Sequence, residues 1–153
     1  MVDHLEYTYK NAERDCKILF NKIKLSKYNV DYILGVSVGG LLVSLLIGRL
    51  LKTKNILTIG IASYDGKVQK ELKIINKPCK EYLENKNVLV VDDISDNGTT
   101  FEFVKNLLIK EYNVKSIKTL SLLINKDHCK KCHPDYYASE TNKWVDFSWD
   151  KFE

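Results

Sequence analysis

The stretch that most constrains this chain runs from Val88 to Thr100 and reads V-L-V-V-D-D-I-S-D-N-G-T-T. Val88 to Val91 is a short, wholly apolar run, the pattern of a central strand covered on both faces of a parallel sheet. Asp92 and Asp93 end that run, and Asp96 follows. Asn97, Gly98, Thr99 and Thr100 then open a helical pattern with Phe101, Val104, Leu108 and Tyr112 on one face. Strand, acidic loop, small-residue turn and helix bring carboxylates and backbone N–H groups to the carboxyl edge of a sheet. Open α/β sheets bind ligands there.

The two halves of this loop suit different parts of one ligand. Asn97 to Thr100 supply N–H groups, hydroxyls and a Gly tolerant of unusual φ at a helix start, which is a phosphate site. Asp92 and Asp93 are acceptors, matched to neighbouring ribose hydroxyls or to a hydrated Mg²⁺. A molecule with a phosphate at one end and a diol in its middle is a ribose 5-phosphate. The same residues also read as an ordinary βα turn with a capping box from Thr99 to Glu102.

Along the rest of the chain, residues 5 to 25 carry a helical stripe that includes Cys16, Leu19 and Ile23, so Cys16 reads as buried. Strands are expected at 31–37, 55–63, 71–75 and 115–124, and a helix from Leu41 to about Leu51. Tyr64 to Lys70 reads as a loop, 78–87 as a connection, 125–134 as a charged loop and 135–153 as a short aromatic tail. Strands alternating with helices predict an α/β fold, a mainly parallel central sheet flanked by helices. At 153 residues, 1–153 reads as one domain.

Composition narrows the partners. The charge is +4, from 24 Lys plus Arg against 20 Asp plus Glu, and the only arginines are Arg14 and Arg49. Bidentate readout of phosphates or guanines by arginine is therefore nearly unavailable, which argues against nucleic acid. The longest apolar run, 41–51, is interrupted by Ser44, Gly48 and Arg49, too short for a bilayer span. With no signal-peptide core and no disulfide framework among its cysteines, the chain reads as cytoplasmic, without a membrane partner.

The D-D-x-x-D-N-G-x-T run after an apolar strand resembles the PRPP-binding signature of the type I phosphoribosyltransferases, with Asn97 where the family usually has Thr. Three further stretches resemble the bacterial xanthine-guanine branch of that family. The first is G-V-S-V-G-G, Gly35 to Gly40, similar to a pyrophosphate-binding turn that typically reads S-R-G-G; Val38 stands where the basic residue is expected. The second is S-Y-D-G-K-V-Q-K-E-L-K, Ser63 to Lys73, similar to the family's mobile loop, with Lys70 in the place of a pyrophosphate contact; on the residues alone it is a solvated loop. The third pairs Lys126, at a strand end, with W-V-D-F-S-W-D from Trp144 to Asp150. There the resemblance implies that Lys126 reads the exocyclic oxygen at C6 of a purine, Trp144 stacks on the ring and Val145 meets the base edge through its backbone. Taken alone, Trp144 also reads as a core aromatic.

The resemblance implies a type I phosphoribosyltransferase fold with a small C-terminal hood from about 125–153. It implies transfer of the 5-phosphoribosyl group from PRPP to N9 of a 6-oxopurine, with Mg²⁺ as cofactor and release of pyrophosphate, in purine salvage. PRPP would be held by Ser37, Val38, Gly39, Lys70, Asp92, Asp93, Asp96, Asn97, Gly98, Thr99 and Thr100. Asp93 would meet the metal partly through water, and Asp96 would be catalytic. Family members commonly form dimers or tetramers, so a homo-oligomer is expected. The alternative is a PRPP-binding regulator on the same fold with little or no catalysis.

D-H-C-K-K-C-H, Asp127 to His133, lies outside that pattern. Cys129 and Cys132 have the local spacing of a zinc half-site, but no second C-x-x-C completes four ligands, and a plain surface loop is the competing reading.

Overall fold

The computed structural model describes residues 1–65, 70–130 and 133–151, with Asp65 and Lys70 described by backbone alone. Its strands are β1 (His4–Tyr7), β2 (Tyr32–Ser37), β3 (Ile56–Asp65), β4 (Lys70–Asn76), β5 (Asn87–Ser95), β6 (Ser116–Asn125), β7 (Tyr136–Thr141) and β8 (Trp144–Phe147). Helices α1 (Tyr9–Ser26), α2 (Gly40–Leu50), α3 (Lys80–Leu83) and α4 (Thr99–Leu107) connect them, and α4 runs on into a π-helical turn, Leu108–Tyr112. The main sheet has the order β4-β3-β2-β5-β6-β7, parallel throughout except for the antiparallel β3–β4 pair. The expected α/β architecture is present.

The apolar run of β5 sits in the middle of this sheet and is buried on both sides. Leu89 and Val91 pack with Leu19, Ile23, Val43 and Ile47 of α1 and α2. Val88 and Val90 face the other way, onto Phe101, Val104, Leu108 and Tyr112. Alternation along a strand sends successive side chains to opposite faces, so a strand covered on both faces must be apolar at every position. Cys16 lies in the first of these layers, and burial pushes its thiol up to about 12.

Several expectations needed correction. β5 does not stop before the carboxylates; it continues through Asp92 and Asp93 to Ser95, still paired with β6 at Asp92, Ile94 and Ser95. The connection at 78–87 contains the single turn α3. The aromatic tail is ordered: β7 adds a parallel edge strand to the main sheet, and β8 pairs with β1 in a separate two-stranded parallel sheet. Residues 5–7, expected as the start of a helix, therefore belong to a strand, and α1 begins only at Tyr9, capped by Thr8 through a reciprocal pair with Asn11. The cap over the sheet edge is thus stitched from both ends of the chain. Of the 64–70 loop, β3 takes up Tyr64 and Asp65 and β4 begins at Lys70; residues 66–69 lie outside the described residues. Among the described residues, no helix is long and apolar enough to cross a membrane.

Candidate active site

Three hollows meet at the carboxyl ends of β2 and β5. The largest, about 430 Å³, is bordered by Asp93, Asp96, Asn125, His128, Lys143, Trp144, Val145 and Asp150, with Val2 reaching in from the N-terminal side. The second, about 320 Å³, lies over Ser37, Gly39, Asp92, Asp93, Thr100 and Asp150. The third, about 90 Å³, is enclosed by Asp92, Ser95, Asp96, Asn97, Gly98 and Thr100. Asp93 and Asp150 are common to the first two, Asp92 and Thr100 to the second and third, and Asp96 to the first and third. The acidic loop is therefore the shared wall of one branched cleft.

The phosphate-sized hollow is shaped by Gly98, whose φ of 84° is open to glycine and strained for most other residues. Gly98 itself is the residue before the first turn of α4. The capping box of the alternative reading, between Thr99 and Glu102, does not form. Instead Asn97 Oδ1 accepts from the Thr99 amide at 3.0 Å and from Thr99 Oγ1 at 2.6 Å. Asn97 thus folds the turn that opens the helix.

Asp92 and Asp93 each accept a backbone amide one residue on: the Asp93 N–H donates to Asp92 Oδ1 at 2.9 Å, and the Ile94 N–H to Asp93 Oδ1 at 2.7 Å. A hydrogen bond to a charged group contributes about 1.5–3 kcal/mol, against a desolvation cost of several kcal/mol for a buried ion. Burial wins. Desolvation, followed by the charge of Asp93, pushes Asp92 well above the usual carboxylate range. Desolvation also raises Asp93, with Asp150 adding to the effect. Among the described residues these crowded, desolvated carboxylates have no ion-pair partner, and as hard oxygen donors they would suit Mg²⁺. Asp93 would hold it, and Asp150, which borders the same space, would assist.

The β2–α2 turn presses on this pair. A Cβ on Gly39 would lie 2.5 Å from Asp93 Oδ2 and 2.9 Å from Oδ1, so any larger residue in this turn must displace the Asp93 carboxylate. The Ser37–Val38 peptide bond is cis, and the Val38 side chain is 78% exposed. Trp144 is 63% exposed on the wall of the largest hollow, not in the core. Val145 borders the same hollow. Lys126 stands exposed one residue beyond Asn125, its amide donating to the Thr141 carbonyl at 3.0 Å. The Lys70 side chain is outside the description.

Cys132 also lies outside the described residues. Cys129 is buried, with Sγ 3.5 Å from Ser95 Oγ, while its neighbour His128 turns to Asp96. The two adjacent side chains therefore diverge. Among the described residues no group of three or more His, Cys, Asp or Glu is placed to hold a metal ion together. The sequence alone assigned no role to Asp150, Lys143 or Val2, and weighed His128 only as a neighbour of the zinc half-site spacing. Asp150 had a visible signal, a carboxylate closing the W-V-D-F-S-W-D run; Val2 had none, because its place depends on β1 pairing with β8.

The profile for the phosphoribosyl transferase domain matches residues 6–153. A xanthine-guanine phosphoribosyltransferase from Gluconobacter oxydans is 27% identical over 97% of this chain and 86% of its own length. Among solved structures, a purine phosphoribosyltransferase from Pyrococcus horikoshii superposes with a TM-score of 0.82 at 30% identity, covering 99% of this chain and 97% of that one. A hypothetical protein from Neisseria gonorrhoeae, solved with bound ppGpp, gives a TM-score of 0.88 at 27% identity, covering 100% and 92%. With a branched cleft on the carboxyl edge of a parallel sheet and a family match over almost its whole length, the chain belongs to the phosphoribosyl transferase domain family.

Proposed function

We propose that this chain transfers the 5-phosphoribosyl group of PRPP to N9 of a 6-oxopurine (xanthine, guanine or hypoxanthine), releasing pyrophosphate, as a step of purine salvage. The observation that carries the reading is the shared wall. One hollow presents an exposed aromatic face, its neighbour presents a glycine turn against two carboxylates, and Asp93 belongs to both.

In this reading the 5-phosphate sits in the small hollow, against the amides and hydroxyls of Asn97 to Thr100. Asp92 and Asp93 accept the ribose hydroxyls, and Ser37 and Gly39 face the pyrophosphate. The base lies on Trp144, where stacking contributes about 1–3 kcal/mol. Val145 meets its edge, and Lys126 donates to O6, which favours 6-oxopurines over adenine. Pyrophosphate leaves with the electron pair of the C1–O bond, and the N9 lone pair forms the new bond to C1. Asp96, exposed between the base hollow and the phosphate hollow, accepts the proton that the base gives up and faces the positive charge developing on the ribose. Asp93 would hold Mg²⁺, which when bound would supply charge neutralisation for the leaving group.

The test is pyrophosphate release from PRPP and Mg²⁺ with xanthine, guanine, hypoxanthine and adenine in turn. Release with 6-oxopurines and not with adenine supports the reading. Val38 favours one alternative, a PRPP-binding regulator with little or no catalysis; saturable PRPP binding without pyrophosphate release from any base would establish that instead. The ppGpp held by the Neisseria protein combines a guanine with two diphosphates, chemistry that matches an aromatic wall beside amide turns. We propose it as a competitor for the same cleft, active only if it raises the apparent KM for PRPP.

A further inference from the structure

We propose that His128 is a positioning residue for Asp96, holding that carboxylate in the orientation the transfer reaction needs. The inference rests on the phosphoribosyl-transfer reading above and adds a residue to it. His128 Nδ1 lies 3.1 Å from Asp96 Oδ1. An ionised carboxylate only accepts, so the ring nitrogen facing it is the one bearing the proton, whether the imidazole is neutral or cationic.

Both side chains are exposed, 63% and 62%, and an exposed pair of this kind adds little to stability, about 0–1 kcal/mol. What makes the contact more than a chance surface pair is how it is anchored. Asn125, the last residue of β6, folds the following turn: its side-chain oxygen accepts the amides of Asp127 and His128, and its carbonyl accepts the amide of Cys129 at 2.9 Å. Cys129 is then buried, with Sγ 3.5 Å from Ser95 Oγ. Consecutive residues of one loop, His128 and Cys129, therefore meet consecutive residues of β5 and its exit, Asp96 and Ser95. The buried contact sets the position of the exposed one.

Geometry gives the pair a task. Asp96 and His128 both border the hollow that carries Trp144, and Asp96 alone of the two also borders the phosphate-sized hollow. With Oδ1 taken by the imidazole, Oδ2 is the oxygen left to meet the substrate. A carboxylate free to rotate about its last torsion would present either oxygen at a range of angles. One fixed donor narrows that range, and orientation of a reacting group is a large part of catalysis.

The experiment uses the full chain and compares His128→Ala with His128→Asn, whose side-chain amide can donate from nearly the same place as Nδ1. His128→Ala is expected to lower kcat by roughly ten- to a hundredfold, the range set by one hydrogen bond to a charged group. The KM for PRPP should be unchanged, and His128→Asn should recover most of the rate. Wild-type kcat in the alanine variant, or equal loss in both variants, would overturn the proposal. Thermal melting shows whether either variant is misfolded. In that event the ¹⁵N resonances of the wild-type imidazole decide: a protonated Nδ1 whose signal moves in Asp96→Asn supports the contact, and an indifferent signal overturns it. A wild-type chain that never releases pyrophosphate instead refutes the transferase reading, and the positioning role of His128 falls with it.

Discussion

At the scale of single residues, the cleft concentrates its demands on a few atoms. Asp96→Asn keeps the shape of the side chain and removes its charge and basicity. Turnover should fall by about two to four orders of magnitude, while PRPP binding, measured by calorimetry, stays within a few-fold; wild-type rates would remove Asp96 from the chemistry. Gly39→Ala tests a contact rather than a group. The added methyl meets Asp93 at 2.5 Å, and the carboxylate, being the end of a side chain, will yield before the backbone does. PRPP affinity should drop about tenfold or more with the melting midpoint nearly unchanged. Unchanged affinity would show that the position of Asp93 is immaterial. Val38 is the opposite case, an apolar side chain left 78% in solvent. Val38→Arg adds a donor fork for pyrophosphate, so the PRPP dissociation constant should tighten. No gain would mean that a lysine elsewhere already fills that role.

At the scale of elements, β5 and the hood differ in how far they could be read in advance. β5 was legible because four consecutive apolar residues have few other destinations in a chain this size, and the stripe Phe101, Val104, Leu108, Tyr112 is indeed buried against it. β1 was not, because four residues merge into the helical stripe that follows and acquire strand geometry only by pairing with β8 at the far end of the chain. Nor was β7: Y-Y-A-S-E-T has no clean alternation, since an edge strand leaves half its length in solvent. The turn at 97–100 was legible as a helix start but not in its capping, because Asn97 competes for Thr99 before Glu102 can. Lysine-rich surface stretches could not be ranked by charge alone.

The β1–β8 ribbon is held down by a cluster in which the Phe147 ring lies 5.5 Å from that of Tyr7 and 4.9 Å from that of Trp149. Tyr7 in turn donates to the buried Asp15 at 2.5 Å, and burial, reinforced by that bond, raises its phenol strongly and keeps it protonated. Phe147→Ala should cost about 3–5 kcal/mol. Because β8 carries Trp144 and Val145, the KM for the purine should rise more than that for PRPP. Equal increases would show that the ribbon does not shape the base hollow.

At the scale of the whole molecule, a chain of net charge +4 gathers Asp92, Asp93, Asp96 and Asp150 into one cleft. That concentration is poor for the ligand-free protein and useful for a ligand of hydroxyls and cations, so stability and binding should pull in opposite directions. The direction of the proton linkage follows from the raised Asp92 and Asp93. Below the usual carboxylate value, near 3.9, these groups are protonated in both folded and unfolded chains and burial costs nothing extra. As pH rises from there through their folded-state values, the unfolded chain ionises freely while the native cleft must hold desolvated charge, and native stability is lost. Asp92→Asn abolishes that charge and can still accept the Asp93 amide. The variant should therefore melt above the wild type at pH 7, with the gap closing toward pH 4. Each tenfold change in proton affinity is worth about 1.4 kcal/mol, or roughly 3–6 °C for a chain of this length. Adding Mg²⁺ and PRPP should reverse the order, because the wild type alone gains the full binding energy. Superimposable melting curves for the two proteins across that pH range, with and without ligand, would show that Asp92 is neither a burden to the empty cleft nor a contact in the filled one.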